Sequence, residues 1–407
     1  MQNLRTIVGA CFTAALLAAC GAGNASLSGL ESGAVATSHT FYAQGNVGPD
    51  VPVQFVYVTN QNSDNVSGYS INFVNGALTP VPGSPFATGS QPWDVVVDPA
   101  GKFAYVADLG VHTGMSGYVS AYKINATNGK LTSVAGSPFP AGQGPITIAI
   151  NPTGTFAYVT NVWDNTISGY AINAGTGALT AIPGSPFAAG PDPRGIVVDL
   201  TGQFVYVTNL HSDLASTISG YSINPANGAL TQIAGSPWAA GSGPIWVALN
   251  HTNSFLYATD FSSNNVYGYT INAVTGALTQ ISGSPWTAGT EPVGVALKGK
   301  FAFVADQNPH STGAVSAYTI NSATGALTPV VGSPFATGTE TVDVAVSPAG
   351  KFVYATNQYS ANVSAFSINP VSGALTPVPG SPFTAGTDPI GIATCKITVG
   401  KCKPPTL

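Results

Sequence analysis

Charge is scarce in this sequence. Only 7% of its 407 residues are Asp, Glu, Lys or Arg, and 11 basic against 16 acidic side chains leave a formal net charge of -5. Nucleic acid is excluded as a partner, because neutralising phosphates takes a dense stripe of Lys and Arg that the chain does not have. Cysteine is nearly absent, with four residues in all. No zinc-ligand spacing, phosphate-binding loop or serine nucleophile elbow occurs anywhere, which removes the commonest hydrolase and nucleotide-binding signatures. Beyond the N-terminus no window reaches eighteen apolar residues, so no later segment reads as a membrane-spanning helix. Helical periodicity is missing as well.

What the chain has is glycine (48), proline (31) and 10% aromatic residues. With plentiful branched side chains, this composition rules out intrinsic disorder and describes many short strands joined by turns. The first nineteen residues stand apart: Arg5, an apolar run from Ile7 to Ala19, then Cys20 after Leu17, Ala18 and Ala19. A run this short with small residues before a cysteine is a cleavable export signal. Leu-Ala-Ala-Cys resembles the bacterial lipobox, which implies acylation of Cys20, cleavage before it and a place in the cell envelope. Gly21 rather than Asp after the cysteine implies the outer membrane. Residues 20–54, rich in Gly, Ala and Ser, read as a flexible tether between this lipid anchor and the folded part.

Repetition decides the remainder. Phe-Val-Tyr-Val-Thr-Asn begins at Phe55 and recurs in variants from Phe103, Phe156, Phe204, Phe255, Phe301 and Phe352, seven units in all. Each unit continues through segments of the type Val66–Asn72, Gly76–Thr79, Gly83–Phe86 and Pro92–Pro99. Side chains alternate with period two and Gly or Asn punctuates every junction, giving four strands per unit. A single sheet of this kind cannot bury both faces, whereas seven packed around an axis can. The expectation is an all-β, seven-bladed β-propeller of four-stranded antiparallel blades over residues 55–394. The chain begins in mid-blade, on a second strand, and ends with an inner-strand segment at Pro389. The N- and C-terminal strands are therefore expected to pair and close the ring. In the tail, 395–407, Cys395 and Cys402 are expected to form a disulfide.

Tyr57–Asn60, with Thr176–Thr180 and Gly184–Phe187, resembles the YVTN-repeat propellers of the lactonase, or 6-phosphogluconolactonase-like, family. The resemblance covers Phe55 to about Thr394. It implies lactone hydrolysis, for which Arg194, Asp192 and His211 are the residues in reach. Gly190–Gly195 departs from the family's Gly-Pro-Arg-His pattern, since Gly195 stands where the histidine would be.

Strand order sorts the charges onto two faces. Loops after second strands, and the starts of inner strands, collect twelve of the sixteen acids on one face, among them Asp94, Asp343, Glu291 and Glu340. Three longer loops there carry His112, His211 and His310, and Trp93, Trp163 and Trp246 lie near the same mouth. The lysines fall on the opposite face or in the tail, leaving Arg194 as the one cation among the acids. This pattern suggests a module that binds a small molecule or an envelope protein through an acidic face, with a divalent cation as one candidate ligand and no other cofactor. Lactonase chemistry is the alternative, and a structural scaffold in surface assembly is a further one. Against a sugar phosphate stand the missing Arg and Lys cluster and the surrounding carboxylates.

Overall fold

The computed structural model describes residues 53–110, 116–211 and 216–397. These belong to one compact unit. Residues 20–52 of the expected tether, with Cys20, and also His112, Asp213 and Cys402 lie outside the described residues, while Val53 and Gln54 belong to the first strand and not to a tether.

Seven sheets form a closed propeller with blades of four antiparallel strands. In blade 2 the inner strand is Pro92–Val97, followed outward by Phe103–Asp108, Ser116–Ile124 and Leu131–Ser133. The outermost position is shared by a second short piece, Phe139–Gln143, which also pairs with the third strand. The same split recurs in every blade. Between the two pieces lies the Gly-Ser-Pro turn, whose serine hydroxyl accepts a hydrogen bond from the third strand. Ser84 Oγ takes the Gly68 amide at 2.9 Å and Ser381 Oγ the Ala365 amide at 2.8 Å. The motif thus satisfies backbone donors that the interrupted outer strand leaves unpaired.

Blade 1 is made from both ends of the sequence. Val53–Asn60 pairs with Pro389–Ile397 in antiparallel register, from Val53 opposite Ile397 to Asn60 opposite Pro389. The ring is therefore latched by terminal strands, as the mid-blade start requires. Cys395 faces the core between blades 1 and 2, beside Phe55, Tyr57 and Val95, with no disulfide partner among the described residues. The disulfide expected for it needs Cys402, outside the described residues.

Blade packing explains the repeat motif. The tyrosine of Tyr-Val-Thr-Asn is fully buried and donates to the turn glycine of the next blade's Gly-Ala-Leu: Tyr57 to the Gly129 carbonyl at 2.8 Å, Tyr105 to Gly177 at 3.0 Å, Tyr354 to Gly76 at 2.9 Å. Burial pushes such phenols well above their ordinary pKa and keeps them neutral donors. Gly76 has φ +78°, and a Cβ there would meet the Phe352 ring of the preceding blade, so the turn must be glycine. The threonine works closer to the axis. Thr59, Thr160, Thr208, Thr259 and Thr356 each donate to a carbonyl of the next blade's inner strand, at Trp93, Arg194, Ile245, Val293 and Ile390. These five carbonyls belong to residues that line the channel.

Candidate functional site at the channel mouth

Every inner strand starts with the same two positions. After Pro92, Pro145, Pro193, Pro244, Pro292, Thr341 and Pro389 come Trp93, Ile146, Arg194, Ile245, Val293, Val342 and Ile390. All seven line one cavity of about 150 Å³ at the channel mouth. The ring is thus six apolar side chains and one guanidinium. Above it the cavity is edged by Phe261, Gln307 and Gln358, each the residue that follows the terminal Asn or Asp of a second strand, and it also touches Thr147 and Trp246. None of Phe261, Gln307, Gln358 or Ile146 was singled out by residue type. Aligning the seven repeats by register, instead of scanning for charge, is the signal that would have found them.

Arg194 is held in place rather than loose. Its Nη2 donates to Asp192 Oδ2 at 2.9 Å and its Nε lies 2.8 Å from Oδ1 without a hydrogen bond, a close ion pair with both side chains about one-third exposed. Four of the five guanidinium N–H donors make no hydrogen bond to that carboxylate. Asp192 has φ +45°, which turns its carboxylate back toward Arg194. Its carbonyl accepts from the Leu210 amide at 3.1 Å, so His211 begins at the same corner of blade 4, where its own amide donates to Ser216 Oγ. The backbone thus starts His211 at the corner that holds the Arg194–Asp192 pair, while of the three only Arg194 lines the cavity. Trp93 packs with Trp163, Leu109 and Ile146 at the edge of the ring, and Trp246 reaches the cavity while packing on the core between blades 5 and 6.

The acidic face expected from the sequence resolves into separate hydrogen-bonded groups. Asp94 and Asp343 do not face the channel. Alternation along the strand turns them sideways into the seam with the next inner strand, where Asp94 Oδ2 accepts from the Ile148 amide at 3.1 Å and Asp343 Oδ2 from Ile392 at 3.0 Å. Desolvation raises Asp94 to about 7, and raises Asp343 well above the carboxylate range, with the nearby Asp94 charge adding to it. Asp108, Asp260 and Asp306 are buried at the ends of second strands. Asp64 and Asp164 accept backbone amides of Gln91 and Gln143. At Glu291 only the backbone is used, its amide donating to the capping Asn264 Oδ1 at 2.7 Å, while its carboxylate Oε2 is buried and accepts no hydrogen bond among the described residues. Glu340 is nearly buried, accepting from the His310 amide at 2.8 Å and lying 3.0 Å from His310 Nδ1. Carboxylates used this way stabilise loops and do not form a common binding surface.

No group of three or more His, Cys, Asp or Glu side chains with metal-holding geometry occurs among the described residues. Of the two long-loop histidines among the described residues, His310 stacks edge-on against Tyr359 on blades 6 and 7, and His211 is on blade 4.

The family described as "Lactonase, 7-bladed beta-propeller" matches residues 84–297 and 283–387. The chain belongs to this lactonase family. Solved structures of similar shape include a protein of Bacteroides uniformis that carries the provisional name 6-phosphogluconolactonase, at 20% identity over 84% of this chain and 99% of that one, with TM-score 0.72. A periplasmic gluconolactonase of Pseudomonas aeruginosa aligns at 19% identity, 86% and 99% coverage and TM-score 0.70. A Lactobacillus plantarum protein aligns at 18% identity, 85% and 100% coverage and TM-score 0.68. At these identities the likeness is one of fold. No curated protein sequence matches the chain.

Proposed function

We propose that this lactonase-family propeller hydrolyses an uncharged sugar lactone bound at the channel mouth. The observation that carries the reading is the ring of six apolar residues broken by Arg194 alone, with Asp192 fixing the guanidinium. A sugar lactone has an apolar ring face, hydroxyl edges and one carbonyl. Trp93 and Phe261 offer surfaces for the ring face, Gln307 and Gln358 offer amides for the hydroxyls, and Arg194 offers N–H donors to the carbonyl oxygen. Water adds to the carbonyl carbon, negative charge develops on that oxygen beside the guanidinium, and the ring C–O bond breaks as the alkoxide takes a proton, leaving a hydroxy acid. Asp192, paired with Arg194, and His211, whose backbone begins at the same corner, are the candidate groups to take the proton from water.

The dissolved acidic face removes the main support for a general binding module, whereas family membership supports the hydrolase. One cation, already neutralised by Asp192, makes a poor phosphate clamp, which favours a substrate without phosphate. The Leu-Ala-Ala-Cys sequence supports an envelope location through acylated Cys20. The test is the initial rate of hydrolysis of glucono-lactone by the purified protein and by Arg194→Ala. A loss of at least about a hundredfold is expected, the scale of removing an oxyanion donor. An unchanged rate in the variant would refute the assignment.

A further inference from the structure

The face opposite the candidate site carries a surface that lactone chemistry does not use. All seven lysines of the described residues are exposed, and they lie on that face. They are also confined to four consecutive blades around the closing seam: Lys298 and Lys300 on blade 6, Lys351 on blade 7, Lys396 on blade 1, and Lys102, Lys123 and Lys130 on blade 2. Blades 3 to 5 have none. The two acids of this face are spent on turns: Asp98 accepts the Lys102 and Phe103 amides at 2.6 and 2.7 Å, and Asp199 those of Gln203 and Phe204 at 2.6 and 2.8 Å. Lys298 and Lys396 line the opposite mouth of the channel, a cavity of about 520 Å³.

Exposed apolar side chains stand on this face as well, within the arc and also outside it, at Leu200 on blade 4 and Val274 on blade 5. In blade 1 the turn after the third strand presents Phe73 and Val74, at 51% and 73% exposure, and the same turn in blade 7 presents Val371 at 78%. Lys300 ties the two kinds together, donating from Nζ to the Val371 carbonyl at 3.0 Å. A single exposed Val needs no explanation, but lysines ringed with a protruding Phe and Val match what an interfacial membrane contact requires. The chain also joins the propeller here, because Val53 pairs with Ile397 at this end of blade 1.

We infer that the lysine-bearing face of blades 6, 7, 1 and 2 docks on an anionic phospholipid surface, with Phe73, Val74 and Val371 entering the headgroup layer. Lysine ammoniums attract anionic headgroups over about a Debye length, and the apolar tips add contact that salt does not screen. The Arg194 mouth, on the far side, stays open to solute.

The test uses the full chain carrying Cys20→Ser, so that the outcome does not depend on acylation, with sedimentation of vesicles made of phosphatidylcholine alone or with phosphatidylglycerol. Binding is expected only to the phosphatidylglycerol vesicles and should fall steeply between 50 and 300 mM salt. Lys298→Glu with Lys351→Glu and Lys396→Glu should weaken it at least tenfold with an unchanged melting temperature. Phe73→Ser with Val371→Ser should weaken it severalfold while keeping the salt dependence. Equal binding to both vesicle types, no binding to either, or a triple variant that binds as the parent does would each overturn the proposal.

Discussion

Asp108, Asp260 and Asp306 end their second strands where the other four blades have Asn60, Asn161, Asn209 and Asn357. All four asparagines donate from Nδ2 to a third-strand serine, and Asn60 also bridges: its Nδ2 donates to Ser67 Oγ at 2.9 Å while its Oδ1 accepts from the Gly386 amide at 2.9 Å. Asp108 instead accepts from Ser120 Oγ at 2.5 Å. Burial lifts Asp108 to about 7 and Asp306 to about 6 from an ordinary 3.8. A carboxyl with a raised folded-state pKa holds its proton after the unfolded chain has released it. Stability is therefore fullest near pH 4 and falls as pH rises to about 7, where both states are ionised. Scanning calorimetry should show the melting temperature lower at pH 7.5 than at pH 5, and Asp108→Asn should shrink that difference. An Asp108→Asn profile parallel to the parent's would mean that this carboxyl is not the cause. At this scale the sequence was a poor guide: an Asp at a strand end reads the same whether it caps a turn, bridges to the next strand or meets solvent, and only burial distinguishes them.

Between neighbouring blades two tyrosine hydroxyls act in opposite directions. One is the Tyr-Val-Thr-Asn tyrosine reaching forward. The other sits on the third strand and reaches back, as Tyr69 does to the Thr384 carbonyl at 2.5 Å and Tyr122 to Ala87 at 2.6 Å. The seam between blades 6 and 7 has neither, because Phe303 and Phe366 occupy the two positions and pack in one apolar cluster. The register puts the Gly373 and Ala336 carbonyls where the hydroxyls would land. Phe303→Tyr should therefore stabilise the fold, by roughly 1 kcal/mol for one added hydrogen bond, and Tyr354→Phe should cost about as much or slightly more at the seam of blades 7 and 1. Denaturant titration of the two variants checks this, and a destabilised Phe303→Tyr would show that the seam has no room for the hydroxyl. Elements were the most legible level of this protein. Period-two alternation and seven copies gave strand identity and order, while the division of the outer strand went unseen because pieces of two to five residues are too short for alternation to be detected.

Seen whole, the molecule separates its chemistry by face. The channel mouth at one end carries Arg194 in its apolar ring, and the other end carries the lysines and the chain's entry point at Val53. Closure was legible from the mid-blade start, since a ring of repeats offset from the termini must complete one blade with both. The acidic mouth is thinner than loop position suggests, with Asp94 and Asp343 turned into blade seams and Asp108, Asp260 and Asp306 buried, because charge sorted by loop says nothing of where each carboxylate points. What replaced it is a site whose selectivity rests on a single, already paired guanidinium. That account predicts discrimination by substrate charge, which one measurement decides: the ratio of kcat/KM for glucono-lactone to that for 6-phosphogluconolactone, measured on the same preparation. The account predicts measurable turnover of the unphosphorylated lactone and a ratio well above one. A ratio at or below one, with the phosphorylated lactone turned over as fast or faster, would contradict it.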